Sequence, residues 1–572
     1  MIKAAIFQFN PTVGDLAGNA KAIVAAAESA QAQGITLLLT PELALCGYPP
    51  EDLLLRPHFL QACQSALHQL AQSLQRWPQL TVVVGHPQAL SQAMQTSLDR
   101  SGVVYQQGAT QLCLNAASVI NQGRIVGQYY KRELPNYHVF DEQRYFVSGR
   151  ILEKAMGSPP GSGALVFEHQ GTSLGLLLCE DAWLNEPADA AKAAGAQVLC
   201  VLNASPFHIH KAAEREQRMS QLAQRCQMPL VYAHLVGGQD ELIFDGASFA
   251  LQANGNIAMR APSFETALVP LTIEAHRLSG SVVPPLSQPA QIWSALVTGI
   301  RDYVQKNRFP GVIIGLSGGV DSALVLALAV DALGPKRVRV VMMPSPYTAD
   351  ISGLDARAMA KGLGVRWDEW PIAPAMSAFS TTLAATFAGL PVDTTEENLQ
   401  ARIRGTLLMA LSNKTGWMVL TTGNKSEMAT GYCTLYGDMA GGYAAIKDVY
   451  KTQVWQLCQW RNQQPHSSSG EIREIIPERI ITRAPSAELR PDQLDQDSLP
   501  PYDILDGILY RFIEGNQSVD EIVQAGFDRA TIERIVRLIK INEYKRRQAP
   551  IGPRISTRSF GKDWRMPVVS AL

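Results

Sequence analysis

Over residues 1–270 the chain alternates short apolar runs with alanine-rich segments of helical spacing. Ile35-Thr36-Leu37-Leu38-Leu39, Thr81-Val82-Val83-Val84 and Val198-Leu199-Cys200-Val201-Leu202 are almost wholly apolar and are bounded by Gly, Pro, Thr or Asn. Runs apolar on both faces predict buried strands of an α/β or layered sandwich fold, since half-exposed strands would alternate. The pattern breaks at Ser279-Gly280-Ser281-Val282-Val283-Pro284-Pro285-Leu286-Ser287-Gln288-Pro289, where Ser, Gly and Pro cluster as in a connecting segment. Beyond it, 292–304 has helical spacing, and Gly311-Val312-Ile313-Ile314-Gly315-Leu316 predicts a buried strand opening a second α/β unit. The expected division is 1–275, a linker over 276–290, and 291–572. The Gln/Ser-rich stretch 463–470 and the Pro-rich stretch 485–501 are expected to be long surface loops, a common source of lids and interface arms.

At 572 residues, with 46% hydrophobic and 18% charged, the chain suits two large packed domains and is too apolar for disorder. A net charge of −1 excludes a broadly basic surface of the kind that tracks nucleic acid. The basic stretch Tyr544-Lys545-Arg546-Arg547 has the alternative reading of a solvated face, but Pro550, Gly552 and Pro553 stop it from continuing as a basic amphipathic helix. The most apolar helical run, 323–330, is cut by Asp331 and is too short for a bilayer. Met1-Ile2-Lys3-Ala4-Ala5 leads straight into a strand pattern without the ordered regions of a signal peptide. The eight cysteines stand singly, with no CxxC pair, which points to a reducing, cytoplasmic setting and leaves a thiol free for chemistry.

Three reactive side chains each follow an apolar run: Glu42 after Leu37-Leu38-Leu39-Thr40-Pro41, Lys131 after Ile125-Val126-Gly127-Gln128-Tyr129-Tyr130, and Cys179 after Leu174-Gly175-Leu176-Leu177-Leu178. Strand carboxyl ends are where α/β folds build sites, so the three can meet in one pocket. Together they suit acyl transfer: a base to deprotonate the thiol, and a cation facing thiolate and oxyanion. Taken singly, each has a plainer reading, as core packing or as a solvated strand tip.

The surrounding strings sharpen this. Pro41-Glu42-Leu43-Ala44-Leu45-Cys46-Gly47-Tyr48-Pro49-Pro50, Lys131-Arg132-Glu133-Leu134-Pro135-Asn136-Tyr137, Val139-Phe140-Asp141-Glu142 and Leu178-Cys179-Glu180-Asp181-Ala182-Trp183 resemble the nitrilase superfamily, and more narrowly the glutaminase domain of NAD+ synthetases. The resemblance implies an αββα sandwich, with Glu42 as general base, Lys131 as electrostatic stabiliser and Cys179 as nucleophile. It further implies that Tyr137, Ser205 and Lys211 hold the amino-acid head of glutamine, and that Glu142 orients the amide.

The most specific string is Gly315-Leu316-Ser317-Gly318-Gly319-Val320-Asp321-Ser322, a strand-to-helix turn. Its glycines let backbone approach phosphate oxygens, and the helix N-terminus supplies N–H donors. It is neither a Walker loop nor a dinucleotide fingerprint. It resembles the pyrophosphate loop of the N-type ATP pyrophosphatases, which adenylate substrates. The loop alone does not choose the substrate.

Asn398-Leu399-Gln400-Ala401-Arg402-Ile403-Arg404, Thr421-Thr422-Gly423-Asn424-Lys425-Ser426-Glu427, Tyr436-Gly437-Asp438, Lys447-Asp448-Val449-Tyr450-Lys451 and Arg483-Ala484-Pro485-Ser486 are similar to NAD+ synthetase segments, as is the Tyr544–Arg547 stretch. The resemblance implies a Rossmann-like parallel-sheet domain that amidates deamido-NAD+ with ATP, through an adenylate, using ammonia released from glutamine. On it, residues 315–322 and Thr422 bind ATP; Asn398, Glu427 and Lys545 bind deamido-NAD+; Asp321 and Glu427 are Mg2+ ligands. The partners it implies are small molecules and further copies of the chain, at least a homodimer, with no nucleic acid and no membrane. The rival readings are another adenylating amidotransferase, or a nitrilase-like amidase with a regulatory nucleotide module.

Overall fold

The computed structural model describes residues 1–101, 112–158, 163–465 and 474–570. The chain divides into two compact units: Met1–Gln239 with Ile243–Leu286, and Ser287–Leu572 with Asp240–Leu242.

In the first unit a seven-stranded sheet runs in the order Arg277–Gly280, Ala267–Glu274, Ile2–Gln8, Leu37–Leu39, Thr81–Ala89, Cys113–Asn121, Arg124–Tyr130. A six-stranded sheet runs Ile257–Arg260, Phe249–Leu251, Leu230–His234, Val198–Asn203, Thr172–Leu178, Val166–His169. Side chains alternate across a strand, and the first strand uses both faces. Ile2, Ala4 and Ile6 join Leu37, Leu39 and Val83 in a core shared with Leu176, Leu178 and Val201 of the other sheet. Ala5 and Phe7 join Leu38, Val82 and Val84 against Ile23 of helix Leu16–Ala32 and Leu67 of helix Pro57–Leu74. Helices Asn185–Ala193 and Lys211–Cys226 cover the second sheet through Ala188, Ala191, Met219 and Leu222. The layers are therefore helix, sheet, sheet, helix. Both faces of the inner strands Leu37–Leu39, Val198–Asn203 and Leu230–His234 are buried, which is why their sequences do not alternate. Each large aliphatic side chain so enclosed contributes roughly 1.5–3 kcal/mol relative to exposure.

The second unit holds five parallel strands in the order Arg366–Glu369, Val338–Met342, Val312–Gly315, Met418–Thr421, Tyr443–Ala444. Counted along the chain that order is 3-2-1-4-5, so it reverses between Val312–Gly315 and Met418–Thr421. A doubly wound sheet opens a crevice at such a switch point. Helix Val320–Leu333 starts there and is buried along almost its whole length; this is the apolar run that ends at Asp331. No helix among the described residues is long and apolar enough to cross a membrane.

Two expectations need correction. Within the 276–290 span expected as linker, Arg277–Gly280 is the edge strand of the first sheet, paired antiparallel from Glu274↔Arg277 to Leu271↔Gly280. Leu278 points inward and is buried, and that packing outweighs the neighbouring Ser and Gly. Helix Gln288–Lys306 begins before the span ends, with proline in its first turn. The 485–501 stretch is not a bare surface loop either: it contains the turn Asp495–Asp497, and Gln493 and Asp495 are buried. Of the 463–470 stretch, residues 466–470 lie outside the described residues, as do 161 and 162 of a lone Gly-x-Gly.

Candidate active sites

In the first unit the three strand-end residues meet. Glu42 lies in a turn held to the neighbouring strand by Thr40 N–H to Val83 O (3.0 Å) and Leu45 N–H to Gly85 O (3.1 Å). A Cβ on Gly85 would sit 2.5 Å from Pro41 O and Leu43 N, so only glycine lets the turn approach so closely. Lys131 Nζ donates to Glu42 Oε1 at 2.7 Å and to Glu142 at 2.8 Å, with all three side chains buried. Asn115 Nδ2 donates to the same Glu42 oxygen at 2.8 Å, and Tyr48 Oη donates to Glu142 at 3.0 Å. Without its ammonium, this carboxylate pair would be destabilised by about 3–5 kcal/mol, so the group stands as a unit.

Cys179 opens the turn Cys179–Trp183 with φ +46°, in the left-handed region that non-glycine residues seldom occupy. Burial pushes its thiol pKa well up; the Glu42 charge adds to the rise and Lys131 opposes it, so the thiol lies within electrostatic range of both. The resting sulfur therefore carries its proton and needs a base. Glu42 Oε2 is buried with no hydrogen-bond partner among the described residues, an acceptor suited to that proton. Burial alone would discharge Lys131, but Glu142 and Glu42 outweigh it and hold its pKa well above the usual lysine value. Burial raises Glu142 to about 7.

Asp181 joins the two limbs of this site. Its buried carboxylate accepts from the backbone N–H groups of Arg132 (3.0 Å), Glu133 (2.8 Å) and Leu178 (3.2 Å), and from Tyr129 Oη at 2.8 Å. The strand ends carrying Lys131 and Cys179 are thereby tied to one side chain. Tyr137, half exposed, donates to Glu180 at 2.9 Å, and Glu180 lies within electrostatic reach of Lys131 and Lys211. Lys211 stands over the Trp183 ring at 4.4 Å. Ser205 is buried, with Asn203 Nδ2 donating to it at 3.1 Å. Tyr48, Glu180 and Asp181 lie inside the strings quoted above but had no role assigned; Asn115 carries no local signal at all.

In the second unit every residue expected to bind nucleotide lines one cavity of about 550 Å3: 315–322, Thr422, Asn398, Glu427 and Lys545. That volume suits a nucleotide-sized ligand. The loop is closed on itself by Ser322 Oγ to Gly319 O (3.0 Å) and Gly319 N–H to Ser317 Oγ (3.2 Å). Gly318 has φ +84°, and a Cβ there would lie 2.4 Å from Ser352 O. The turn thus requires glycine on two counts.

Asp321 accepts from Asn424 Nδ2 at 2.9 Å and faces the Lys451 ammonium, which also lies 3.5 Å from Glu427. Lys451 is held above its usual pKa: burial opposes the charge, and Asp321 and Glu427 override it. Glu427 is pushed up to about 8, by burial first and then by the Asp321 charge. Glu427 also caps helix Lys425–Thr430, accepting from Asn424 N–H at 3.2 Å as a carboxylate in a first helical turn does. Lys545 Nζ donates to Gly431 O and Cys433 O, both at 2.8 Å, just past that helix's C-terminus. Asn398 Oδ1 accepts from Thr434 Oγ1 at 2.7 Å. The solvated-face alternative for the basic stretch fails at Arg546, which is buried and donates to Ala429 O at 2.8 Å. Lys451 and Arg404 also line the cavity; both lie in quoted strings, but nothing local marked them.

Comparison with known proteins matches two family patterns along the chain. The carbon-nitrogen hydrolase family pattern matches residues 3–279 and the NAD synthase pattern matches 292–549. The chain is 45% identical to the glutamine-dependent NAD+ synthetase of Acinetobacter baylyi over 571 residues, covering 99% of this chain and 98% of that protein. It is 43% identical to the one from Thermotoga maritima, covering 100% and 98%. Among solved structures it is similar to the glutamine-dependent NAD+ synthetase of Acinetobacter baumannii in complex with ADP, with a TM-score of 0.75, 41% identity, and coverage of 99% and 98%. A Cytophaga hutchinsonii structure at 21% identity shares the fold, with a TM-score of 0.80 over 100% and 97%. With identity at this level along its whole length and both family patterns in order, the chain belongs to the glutamine-dependent NAD+ synthetases.

Proposed function

We propose that this chain converts deamido-NAD+ to NAD+, using ATP and ammonia taken from glutamine. The observation that carries the first half is Lys131 bridging Glu42 and Glu142 beside Cys179. Glu42 takes the thiol proton as Sγ attacks the glutamine carboxamide carbon. Lys131 faces the oxyanion of the tetrahedral adduct. Ammonia leaves with a proton from Glu42, and water then cleaves the thioester, with Glu42 again as base. Tyr137, Ser205 and Lys211 hold the amino-acid head.

In the second unit the nicotinate carboxylate attacks the α-phosphorus of ATP, and the 315–322 turn receives the leaving pyrophosphate through backbone N–H groups. Thr422 belongs to the ATP side; Asn398, Glu427 and Lys545 belong to deamido-NAD+. Ammonia then attacks the adenylated carbonyl and AMP departs. Asp321 and Glu427 suit a hard cation: two neighbouring carboxylates, one of them raised to about 8, gain from added positive charge. Among the described residues no group of three or more His, Cys, Asp or Glu could hold a metal alone. Mg2+ habitually takes one or two carboxylates and fills the rest from phosphate and water, so the pair fits. When bound it would neutralise charge developing on the phosphates.

The test is direct. The protein is incubated with ATP, deamido-NAD+ and glutamine, and AMP, pyrophosphate, glutamate and NAD+ are counted. Equimolar AMP and NAD+ are expected; ADP and phosphate in their place would exclude the adenylate.

The proposal extends to a homodimer or larger assembly working in the cytoplasm, a setting that suits eight cysteines that are all free. Helix Ala373–Phe387 has no buried and no charged residue, and the exposed Phe379, Leu390 and Val392 accompany it. An uncharged apolar helix matches a second copy of itself without unpaired charge. Sedimentation at about 10 μM is expected to give at least twice the mass of one chain, and Phe379→Glu to lower it. A monomer at that concentration would refute the assembly.

A further inference from the structure

Behind the first unit's site lies a charged network that the amide chemistry does not use. Arg215 stands four residues after Lys211 on helix Lys211–Cys226, so the two share one helix face. Lys211 is part exposed, but Arg215 is only 2% exposed. The Arg215 guanidinium donates to Asp245 and to His234 Nε2, and it lies 3.5 Å from Ser205 Oγ. Asp245 Oδ1 is also 3.3 Å from the same His234 nitrogen. His234 ends strand Leu230–His234 and is fully buried.

A guanidinium can only donate, so the ring nitrogen it faces presents a lone pair and the ring proton sits on Nδ1. Its Nδ1–H donates to the Asn203 carbonyl oxygen at 3.3 Å, tying the ring to the residue whose side-chain amide reaches Ser205. That amide is in turn 3.1 Å from Ser205 Oγ. Burial first, then the Arg215 charge, lowers His234 to about 4, so the ring is neutral and keeps this donor–acceptor order at neutral pH.

Burying an arginine, an aspartate and a histidine together is not an efficient route to stability, because apolar side chains of similar volume usually do as well. What an ionic network adds is fixed geometry. Here its arms come from a helix and two strands, and both the guanidinium and the Asn203 amide end on Ser205. We propose that Arg215, His234 and Asp245 are positioning residues that set, directly and through Asn203, the placement of Ser205 against the amino-acid head of glutamine. The proposal rests on reading the first unit as a glutaminase with Ser205 at that head.

The double variant Arg215→Met/Asp245→Leu removes both charges and strands neither. In the full chain, with glutamate release followed against glutamine concentration, KM is expected to rise about tenfold or more while kcat stays within about threefold, the split that marks lost binding rather than lost chemistry. The ammonium-dependent reaction is expected to be unchanged. His234→Leu, which keeps the Arg215–Asp245 ion pair but removes both the acceptor for Arg215 and the link to Asn203, is expected to raise KM likewise; His234→Gln, which restores an acceptor for Arg215, is expected to return KM to within about twofold of the parent. If the double variant does not fold, the two His234 variants carry the test. Ser205→Ala separates the premises. If it raises KM and the network variants do not, the network is structural only and the proposal falls; if it leaves KM unchanged, the assignment of Ser205 falls. A drop in kcat at constant KM in the network variants would also overturn the proposal.

Discussion

A Cys179→Ala chain is expected to lose glutamine-dependent NAD+ formation by roughly a thousandfold or more, while NAD+ formation from ammonium salt stays within about twofold. The asymmetry follows from what the sulfur does. It is the only atom of the Glu42–Lys131–Cys179 group that would bond to substrate, and its thiol is pushed up by burial, so no spectator thiolate is lost with it. Alanine leaves the Lys131 bridge to Glu42 and Glu142 in place and strands no charge, so the first unit has no reason to unfold. Alanine also tolerates φ +46° no worse than cysteine, both being non-glycine residues. Parallel assays with saturating glutamine and with ammonium chloride decide the matter. Equal loss of both activities would mean that Cys179 serves the ligation itself or the folding of the chain, and the division of labour would fail.

Asp321→Ala is expected to remove both reactions, by on the order of a thousandfold, because both nitrogen sources meet the same adenylate. Asp321 stands in the first turn of helix Val320–Leu333, at the switch point of the parallel sheet, with Asn424 on one oxygen and Lys451 on the other. Alanine removes an oxygen donor for a cation and also releases the Lys451 ammonium. Asp321→Asn separates the two effects, since it keeps the shape and one oxygen but not the charge. If the charge is what matters, Asn is as inactive as Ala, and pyrophosphate release stops with NAD+ formation in both. NAD+ formed at the parent rate by either variant would remove Asp321 from the reaction.

The legible and illegible parts of the molecule differ in a physical way. Leu37–Leu39, Arg124–Tyr130 and Thr172–Leu178 are strands whose apolar runs stop one to three residues before Glu42, Lys131 and Cys179. Burial on both strand faces, as in Leu37–Leu39, and the placing of polar chemistry at strand ends are local properties, so they are written in consecutive residues. The 315–322 turn is legible for the same reason: a strand end, two glycines and a helix start are neighbours in the chain. The edge strand Arg277–Gly280 was hidden because its polar and glycine residues give no strand signal, and its formation depends on pairing with Ala267–Glu274.

Sequence alone therefore determined the two α/β units, the strand-end trio Glu42, Lys131 and Cys179, and the glycine turn at 315–322, because each is a short string with its own backbone logic. Tertiary structure decided which distant side chains complete those strings. Lys451 reaches Asp321 across 130 positions, Tyr48 reaches Glu142 across 94, and Asp181 collects backbone N–H groups 48 and 49 positions away. A buried charge must be matched wherever the fold brings a partner, and no spacing rule along the chain records where that will be.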